Sequence, residues 1–87
     1  MPFSETEIRS KTLDFLQSNF FIDIQSNPLA DTDSFLAKGI IDSTGVLEVI
    51  NFIQSDFGVE MPDSEILPEN LDSVTGIVSY VLRKTGA

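Results

Sequence analysis

The 87-residue sequence predicts an all-α fold: a four-helix bundle with three longer helices, one short helix and a long loop between the first two. Apolar residues recur at helical spacing in three segments, and no two segments show the alternation expected of paired strands. Gly58 and Pro68 follow two of the predicted helices, where helices tend to end. The length suits one domain spanning residues 1–87, and a hydrophobic fraction of 41% permits one compact core.

The first helix is predicted over residues 4–20. Ser4 and Glu7 have the spacing of a capping box, in which each side chain accepts a hydrogen bond from the other residue's backbone amide. Apolar residues then follow at helical spacing, namely Ile8, Phe15 and Leu16.

Residues 21–41 are predicted to form a long loop that packs back on the bundle. Asn27 precedes Pro28, which disfavours a helix at that point, and polar turn-forming residues follow. The second half of the loop is too apolar for a solvated linker, because it contains Phe35, Leu36, Ile40 and Ile41. A loop of this length in a compact domain usually has a function.

The second helix, predicted over residues 43–57, has the clearest apolar stripe. The stripe is formed by Val46, Val49, Ile50, Ile53 and Phe57. Gly58 supplies the C-terminal stop of this helix, and residues 59–62 are expected to be extended.

Capping signals place the two remaining helices. Asp63 or Ser64 is expected to cap a short third helix that runs through Leu67 and is ended by Pro68. Asp72 is expected to cap the last helix. The apolar face of that helix is formed by Val74, Ile77, Val78, Val81 and Leu82.

The formal net charge is −9, and residues 42–72 contain eight acidic residues and no basic residue. Such a surface repels nucleic acid and acidic lipid headgroups and attracts basic protein surfaces. The alternative is that the acidity only maintains solubility. No segment approaches the roughly 18 consecutive apolar residues of a membrane span, and the N-terminus lacks the apolar block of a secretory signal. The chain is therefore expected to be cytoplasmic and complete from Met1.

Cysteine and histidine are absent from the sequence. Their absence excludes disulfides, thiolate and imidazole metal sites, and the Ser-His and Cys-His forms of nucleophilic catalysis. A catalytic serine would need a lysine or a carboxylate as its partner.

One serine stands where the long loop meets the second helix. The first backbone amides of a helix have no intrahelical acceptor, so a phosphate attached to Ser43 would lie against these amides and the positive end of the helix dipole. The alternative is that Ser43 or Asp42 only caps the helix, because both residue types are preferred caps.

The residues around this serine resemble the motif of the phosphopantetheine-dependent carrier family, which comprises acyl, peptidyl and D-alanyl carrier proteins. The motif is an Asp-Ser pair at the start of the second helix, preceded by Gly and apolar residues, and residues 39–43 match it. The similarity continues through residues 46–50, 56–59 and 72–74. It covers essentially the whole chain, including the long first loop and the short third helix.

The resemblance implies that Ser43 carries 4'-phosphopantetheine, transferred from coenzyme A by a separate, Mg²⁺-using phosphopantetheinyl transferase, with Asp42 as part of the motif. The terminal thiol of this arm would hold an acyl or aminoacyl group as a thioester. The chain would then be a stand-alone, monomeric carrier and not an enzyme. Its expected partners are an acyl- or amino-acid-activating ligase and acyl-processing enzymes with basic surfaces, while fatty acyl, polyketide, amino acid and D-alanine cargoes all remain open.

The resemblance also assigns partner binding to acidic residues of the second helix. By position these are Asp42, Glu48 and Asp56, with a solvated outer face as the alternative. Val46 and Leu47 are expected to add apolar contact beside the arm, although core packing is the alternative for Val46. Family members can shelter an acyl chain between helices, and the corresponding lining residues here would be Ile41, Val46, Ile50 and Leu71.

Three positions depart from the pattern of housekeeping fatty-acid carriers. Thr44 stands where Leu is usual, Gly45 where Asp is common, and Gln54-Ser55 where acids are typical. These departures favour a carrier that serves a small, dedicated set of enzymes. Gly45 costs helix stability, up to about 1 kcal/mol relative to Ala, so it is retained either for a close approach of the arm or a partner, or by drift.

Three alternative functions use the same residues differently. Asp31, Asp33 and Asp42 match positions 1, 3 and 12 of an EF-hand calcium loop, but Leu36 occupies position 6, where Gly is needed. An acidic helical interaction module without a prosthetic group predicts the same fold and charge. An enzyme with Ser43 as its nucleophile is the third alternative, although a bundle of this size offers little room for a substrate pocket.

Overall fold

The computed structural model describes residues 3–20 and 30–85. Its helices are α1 (Glu5–Phe20), α2 (Gly45–Phe57), a short 3₁₀ helix (Asp63–Glu65), α3 (Pro68–Leu71) and α4 (Val74–Thr85). The predicted all-α class, with three long helices and one short one, is confirmed, and the described ranges contain no strand. The turn predicted at Asn27-Pro28 lies outside the described residues.

Helix α1 begins with one half of the predicted capping box, because the described residues show the hydrogen bond to the Ser4 side chain but none from the Ser4 amide to the Glu7 side chain. The Ser4 hydroxyl oxygen accepts a hydrogen bond from the Glu7 amide at 3.1 Å. Ile8 and Leu16 are completely buried on the face of α1 that packs into the bundle. Thr12 is buried between them, and its hydroxyl donates to the Ile8 carbonyl oxygen at 2.8 Å, so this polar group is satisfied within the helix.

Aromatic side chains fill the space between α1 and α2. The Phe15 and Phe52 rings stack with centroids 4.3 Å apart, and Phe57 lies edge-on to Phe52 at 5.3 Å and to Phe3 at 5.0 Å. Phe52 is buried although the predicted stripe of α2 did not include it. Helix α2 ends at Gly58, whose φ of 64° is the left-handed conformation that the predicted C-terminal stop requires.

The third helix lies later in the chain than the sequence suggested. The predicted helix from Asp63 through Leu67 is wrong: residues 63–65 form only a 3₁₀ turn, and α3 begins at Pro68 instead of ending there. Proline suits the first position of a helix, because its φ is already helical and the amide it lacks would have had no intrahelical acceptor. The Pro68 carbonyl oxygen accepts the Asp72 amide at 2.8 Å and closes this single turn.

The predicted cap of α4 is off by one residue. The Ser73 hydroxyl oxygen, and not the Asp72 carboxylate, accepts the Gly76 amide at 2.9 Å. The Asp72 carboxylate instead accepts hydrogen bonds from the Ser34 hydroxyl and from the Leu36 amide, the latter at 2.9 Å. Ser73 therefore caps α4, while the adjacent Asp72 binds the loop before α2.

The C-terminal half of α4 is anchored to the 3₁₀ turn through Tyr80. The Tyr80 hydroxyl donates to a Glu65 carboxylate oxygen at 2.7 Å, and the Lys84 ammonium lies 3.0 Å from the same oxygen. These contacts lower the pKa of Glu65, the hydrogen bond from Tyr80 contributing most.

Among the helices in the described ranges, none combines the length and the apolar character that a membrane span needs.

Candidate functional site at the start of helix α2

Ser43 is exposed in the turn that leads into α2. Asp42 caps this turn: its Oδ1 accepts the Gly45 amide at 2.7 Å, and its carbonyl oxygen accepts the Val46 amide at 3.2 Å. Thr44 has helical dihedral angles, so the predicted helix start at residue 43 differs from the observed start only in the first, incomplete turn. The capping role that the sequence left open between two residues therefore belongs to Asp42.

The Ser43 hydroxyl and the first two amides of the turn have no hydrogen-bond partner among the described residues. The amides concerned belong to Ser43 and Thr44, while the Gly45 amide is taken by Asp42. Unpaired amides at the start of a helix are the groups that bind an anion. An exposed hydroxyl therefore stands beside donors suited to a phosphate.

The base nearest to Ser43 in sequence points to another partner. The Lys38 ammonium lies 3.8 Å from an Asp33 carboxylate oxygen. No described lysine or arginine forms a hydrogen bond with the Ser43 hydroxyl. The described surroundings of Ser43 thus offer no activating base, in contrast to what a serine nucleophile needs.

An apolar pocket of about 210 Å³ opens between the loop before α2, α2 itself and α3. Ile41, Val46 and Leu71 line it as the sequence anticipated, whereas Ile50 does not. The remaining lining residues are Phe35, Leu36, Val49, Ile66, Leu67, Pro68 and Asp72. Two of its lining residues, Ile41 and Val46, lie two residues before and three residues after Ser43 in the sequence, so the pocket is near the junction of loop and helix that contains Ser43.

Two exposed leucines line this pocket, and a third exposed leucine lies on α2 outside it. Leu36 is 46% exposed, Leu67 is 40% exposed, and Leu47, four residues after Ser43, is 62% exposed. Leu47 is therefore available for contact with a partner, as expected, while Val46 is half-buried and faces the pocket. Leu36 and Leu67 were not singled out from the sequence, since only the folded chain brings their loops together.

The acids predicted to contact partners are all exposed and lie along one side of α2. Glu48 and Asp56 line a groove of about 470 Å³ between α1 and α2, opposite Asp14 and Lys11 of α1. Glu48 also lines a second recess, together with Asp42, at the N-terminal end of α2. The acidic surface is thus continuous along the helix.

Gly45 lies where the end of α1 comes close to the start of α2. A Cβ atom at this position would be 2.8 Å from Ile41 Cγ2 and 3.0 Å from Phe20 Cε1, well inside normal contact distance. The side chains of Ile41 and Phe20 therefore occupy the space that a glycine leaves free at position 45. This packing accounts for Gly45 without an arm or a partner.

The three aspartates of the EF-hand alternative have separate partners. Asp31 accepts from the Arg9 Nε at 3.0 Å and 3.1 Å through its two carboxylate oxygens, Asp33 faces Lys38, and Asp42 caps α2. The hydrogen bond to Asp31 is the main reason why the pKa of Arg9 is raised. Within residues 3–20 and 30–85, no group of three or more acidic side chains is arranged to hold a metal ion.

The order and lengths of the helices are those of an acyl-carrier-like bundle. No family model matches the chain. The acyl carrier protein of Lactobacillus acidophilus (strain ATCC 700396 / NCK56 / N2 / NCFM) is 32% identical to it over 83 residues, an alignment that covers 95% of this chain and 99% of that protein. The chain therefore belongs to the acyl carrier protein family, which indicates a carrier protein.

Proposed function

We propose that residues 1–87 form one acyl carrier domain in which Ser43 is the attachment site for 4'-phosphopantetheine. The observation that carries this proposal is the exposed Ser43 hydroxyl, which has no partner among the described residues and stands at the start of α2. Asp42 supports it by capping the turn, because a capped turn keeps the serine backbone in place without using its hydroxyl.

The local chemistry fits a phosphodiester at this serine. In the transfer, a bond forms between Ser43 Oγ and the phosphorus of the pantetheine half of coenzyme A, the pyrophosphate bond breaks, and the nucleotide half leaves. The hydroxyl proton passes to a base of the transferase, since the described part of this chain places none beside Ser43. The Ser43 and Thr44 amides then stabilise the negative charge of the attached phosphate.

The prosthetic group would supply the thiol on which cargo is carried as a thioester. The chain has no cysteine of its own, so this reactivity has to be attached. The remaining contribution of the protein is to hold the arm at one point and to present the cargo to enzymes.

The apolar pocket beside Ser43 favours an acyl chain over a charged amino acid as cargo. Its wall consists of aliphatic and aromatic side chains apart from Asp72, whose carboxylate oxygens already accept hydrogen bonds from Ser34 and Leu36. A buried hydrocarbon chain would gain from leaving water, whereas an ammonium group would lose its hydration without a partner among these side chains. We therefore expect a fatty acyl or polyketide-type chain rather than an aminoacyl or D-alanyl group.

The acidic side of α2 is the proposed contact surface for enzymes with basic surfaces, namely the phosphopantetheinyl transferase, an acyl-activating ligase and acyl-processing enzymes. Asp42, Glu48 and Asp56 supply the charge, and the exposed Leu47 together with Val46 adds apolar contact. Charges at the edge of such an interface mainly raise the association rate and make it salt-dependent. The surface therefore suits brief encounters with several partners.

The mass of the intact protein tests the attachment site. After incubation with coenzyme A, Mg²⁺ and a broad-specificity phosphopantetheinyl transferase, the wild-type chain should gain the mass of one phosphopantetheine. Ser43→Ala should gain none, and Ser55→Ala, which removes another exposed hydroxyl of α2, should react like the wild type. Modification of Ser43→Ala, or no modification of the wild type by a transferase that modifies a known carrier in the same reaction, would overturn the proposal.

A further inference from the structure

Asp72, between α3 and α4, binds three consecutive residues of the loop before α2. Its Oδ1 accepts the Leu36 amide at 2.9 Å, its Oδ2 accepts the Ser34 hydroxyl, and its carbonyl oxygen accepts the Phe35 amide at 2.8 Å. These residues lie 36 to 38 positions earlier in the chain. One residue therefore fixes the loop to the junction of two helices.

The loop around these residues is joined internally by its own hydrogen bonds. The Ser34 hydroxyl oxygen accepts the Ala37 amide at 3.1 Å, and the Phe35 carbonyl oxygen accepts the amides of Ile40 at 2.9 Å and Ile41 at 3.4 Å. Phe35 is almost completely buried and adds an apolar anchor. The position of Ile41 thus follows from the position of residues 34–36.

This loop unit is one wall of the apolar pocket, and α3 with its preceding residue is the opposite wall. Phe35 and Leu36 stand on the loop side, and Leu67 and Pro68 stand on the other side. Asp72 itself lines the pocket edge between them. Its hydrogen bonds therefore set the distance between the two walls.

We propose that Asp72 is a positioning residue that holds the pocket closed around a cargo chain and so shelters the thioester on Ser43 from water. This inference rests on the proposed carrier function. Loss of the carboxylate leaves the Ser34 hydroxyl and the Leu36 amide without their acceptors. The Phe35 amide bond and the buried Phe35 side chain remain, so the loop wall is held less tightly and separates from α3 more readily. That separation exposes a long acyl chain and its thioester to water, whereas a two-carbon acetyl group is too short to occupy the pocket and is not affected.

The test compares Asp72→Ala with Asp72→Asn and with Asp63→Ala, a control that removes an exposed carboxylate with no side-chain hydrogen bond among the described residues. Asn is the conservative variant, because its oxygen can accept from Leu36 while its amide group donates to Ser34 Oγ. Each protein is loaded with an octanoyl or an acetyl arm, and thioester cleavage by hydroxylamine is timed. Ser34→Ala, which deletes one of the hydrogen bonds, replaces Asp72→Ala if that variant does not fold.

We expect octanoyl cleavage to be several-fold faster in Asp72→Ala, close to the wild-type rate in Asp72→Asn and unchanged in Asp63→Ala, with acetyl cleavage equal in all four proteins. In the unloaded proteins, the Leu36 amide should exchange with deuterium about tenfold faster or more in Asp72→Ala, as expected for loss of a charged acceptor. Equal octanoyl rates, or equal acceleration of both thioesters, would overturn the sheltering role while leaving the carrier function intact. Failure to load the wild type would instead remove the carrier function and the sheltering role with it.

Discussion

Gly76 brings α4 close to the backbone of α3, and replacing it with alanine should destabilise the protein measurably. A Cβ atom at Gly76 would lie 2.5 Å from the Glu69 carbonyl oxygen and 3.1 Å from the Ser73 hydroxyl oxygen that caps α4. The first of these atoms belongs to the backbone of α3, so it cannot move aside as the end of a flexible side chain can. One of the two helices has to shift.

The size of the effect follows from two opposing contributions. Overpacking costs about 1–3 kcal/mol, and the upper half of that range applies because the contact is with backbone. Alanine returns up to about 1 kcal/mol through its higher helix propensity. The net loss in the free energy of unfolding is then about 1–2 kcal/mol, which lowers the Tm of a domain of this size by about 4–16 °C.

Urea unfolding followed by far-ultraviolet circular dichroism measures this loss. The midpoint of Gly76→Ala should fall while the slope of the transition stays unchanged, because the change alters stability and not the surface exposed on unfolding. Ser79→Ala is the matched control, since Ser79 is exposed one turn further along α4 and should change stability by no more than about 0.5 kcal/mol. A midpoint for Gly76→Ala at or above that of the wild type would show that α3 and α4 are not this close in solution.

Two further predictions concern charge. Glu48→Gln and Asp56→Asn should each slow modification by the transferase at low salt, and the difference from the wild-type rate should shrink as the salt concentration rises. Asp63→Asn, which lies outside the α2 surface, should leave the rate unchanged. Rates that neither α2 substitution changes would exclude these acids from the encounter with the transferase. Burial, and secondarily the hydrogen bond to Glu65, raises the pKa of Tyr80 to about 12. Because the ordinary pKa is about 10, the contribution of this group to stability is complete below pH 10 and is lost as the pH rises toward 12. Tyr80 is the single tyrosine, so phenolate absorbance against pH measures its pKa directly, provided that circular dichroism shows the protein to be folded. Glu65→Gln should lower the midpoint of this titration only part of the way toward 10. A wild-type midpoint near 10 would contradict the prediction.

In the proposed function, a prosthetic group and partner enzymes supply the reactive groups, and the chain supplies the attachment site and the surfaces around it. The chain has neither cysteine nor histidine, and its described part places no base beside Ser43, so in the proposed function the thiol belongs to the prosthetic group and the catalytic groups belong to partner enzymes. What the chain supplies is a fixed hydroxyl, two unpaired amides among the described residues, an apolar pocket and an acidic contact surface. The hydroxyl and the amides belong to the turn before α2, whereas the pocket also needs α3 and the acidic groove also needs α1.

The long helices and the position of the candidate site could be predicted from the sequence, because their signals are local. The cap at Ser4 and the stop at Gly58 act within one turn of the residues they name, and the structure shows both. The junction of a loop with an amphipathic helix drew attention to Ser43, and the resemblance of residues 39–43 to the carrier motif assigned it the role of attachment site. The periodic burial of α1, α2 and α4 requires no knowledge of what they pack against, only that one face is buried.

The third helix, the cap of α4 and the reason for Gly45 depended on the tertiary structure. Pro68 is compatible with either the end or the start of a helix, and the burial of Leu71 against the bundle selects the start. Asp72 and Ser73 are both good caps, and the choice between them was made by loop residues 36 to 38 positions away that only folding brings within hydrogen-bond distance of Asp72. The sequence shows local backbone preferences directly. Where two groups are equally suitable, the choice between them depends on residues distant in sequence, which become neighbours only when the helices pack.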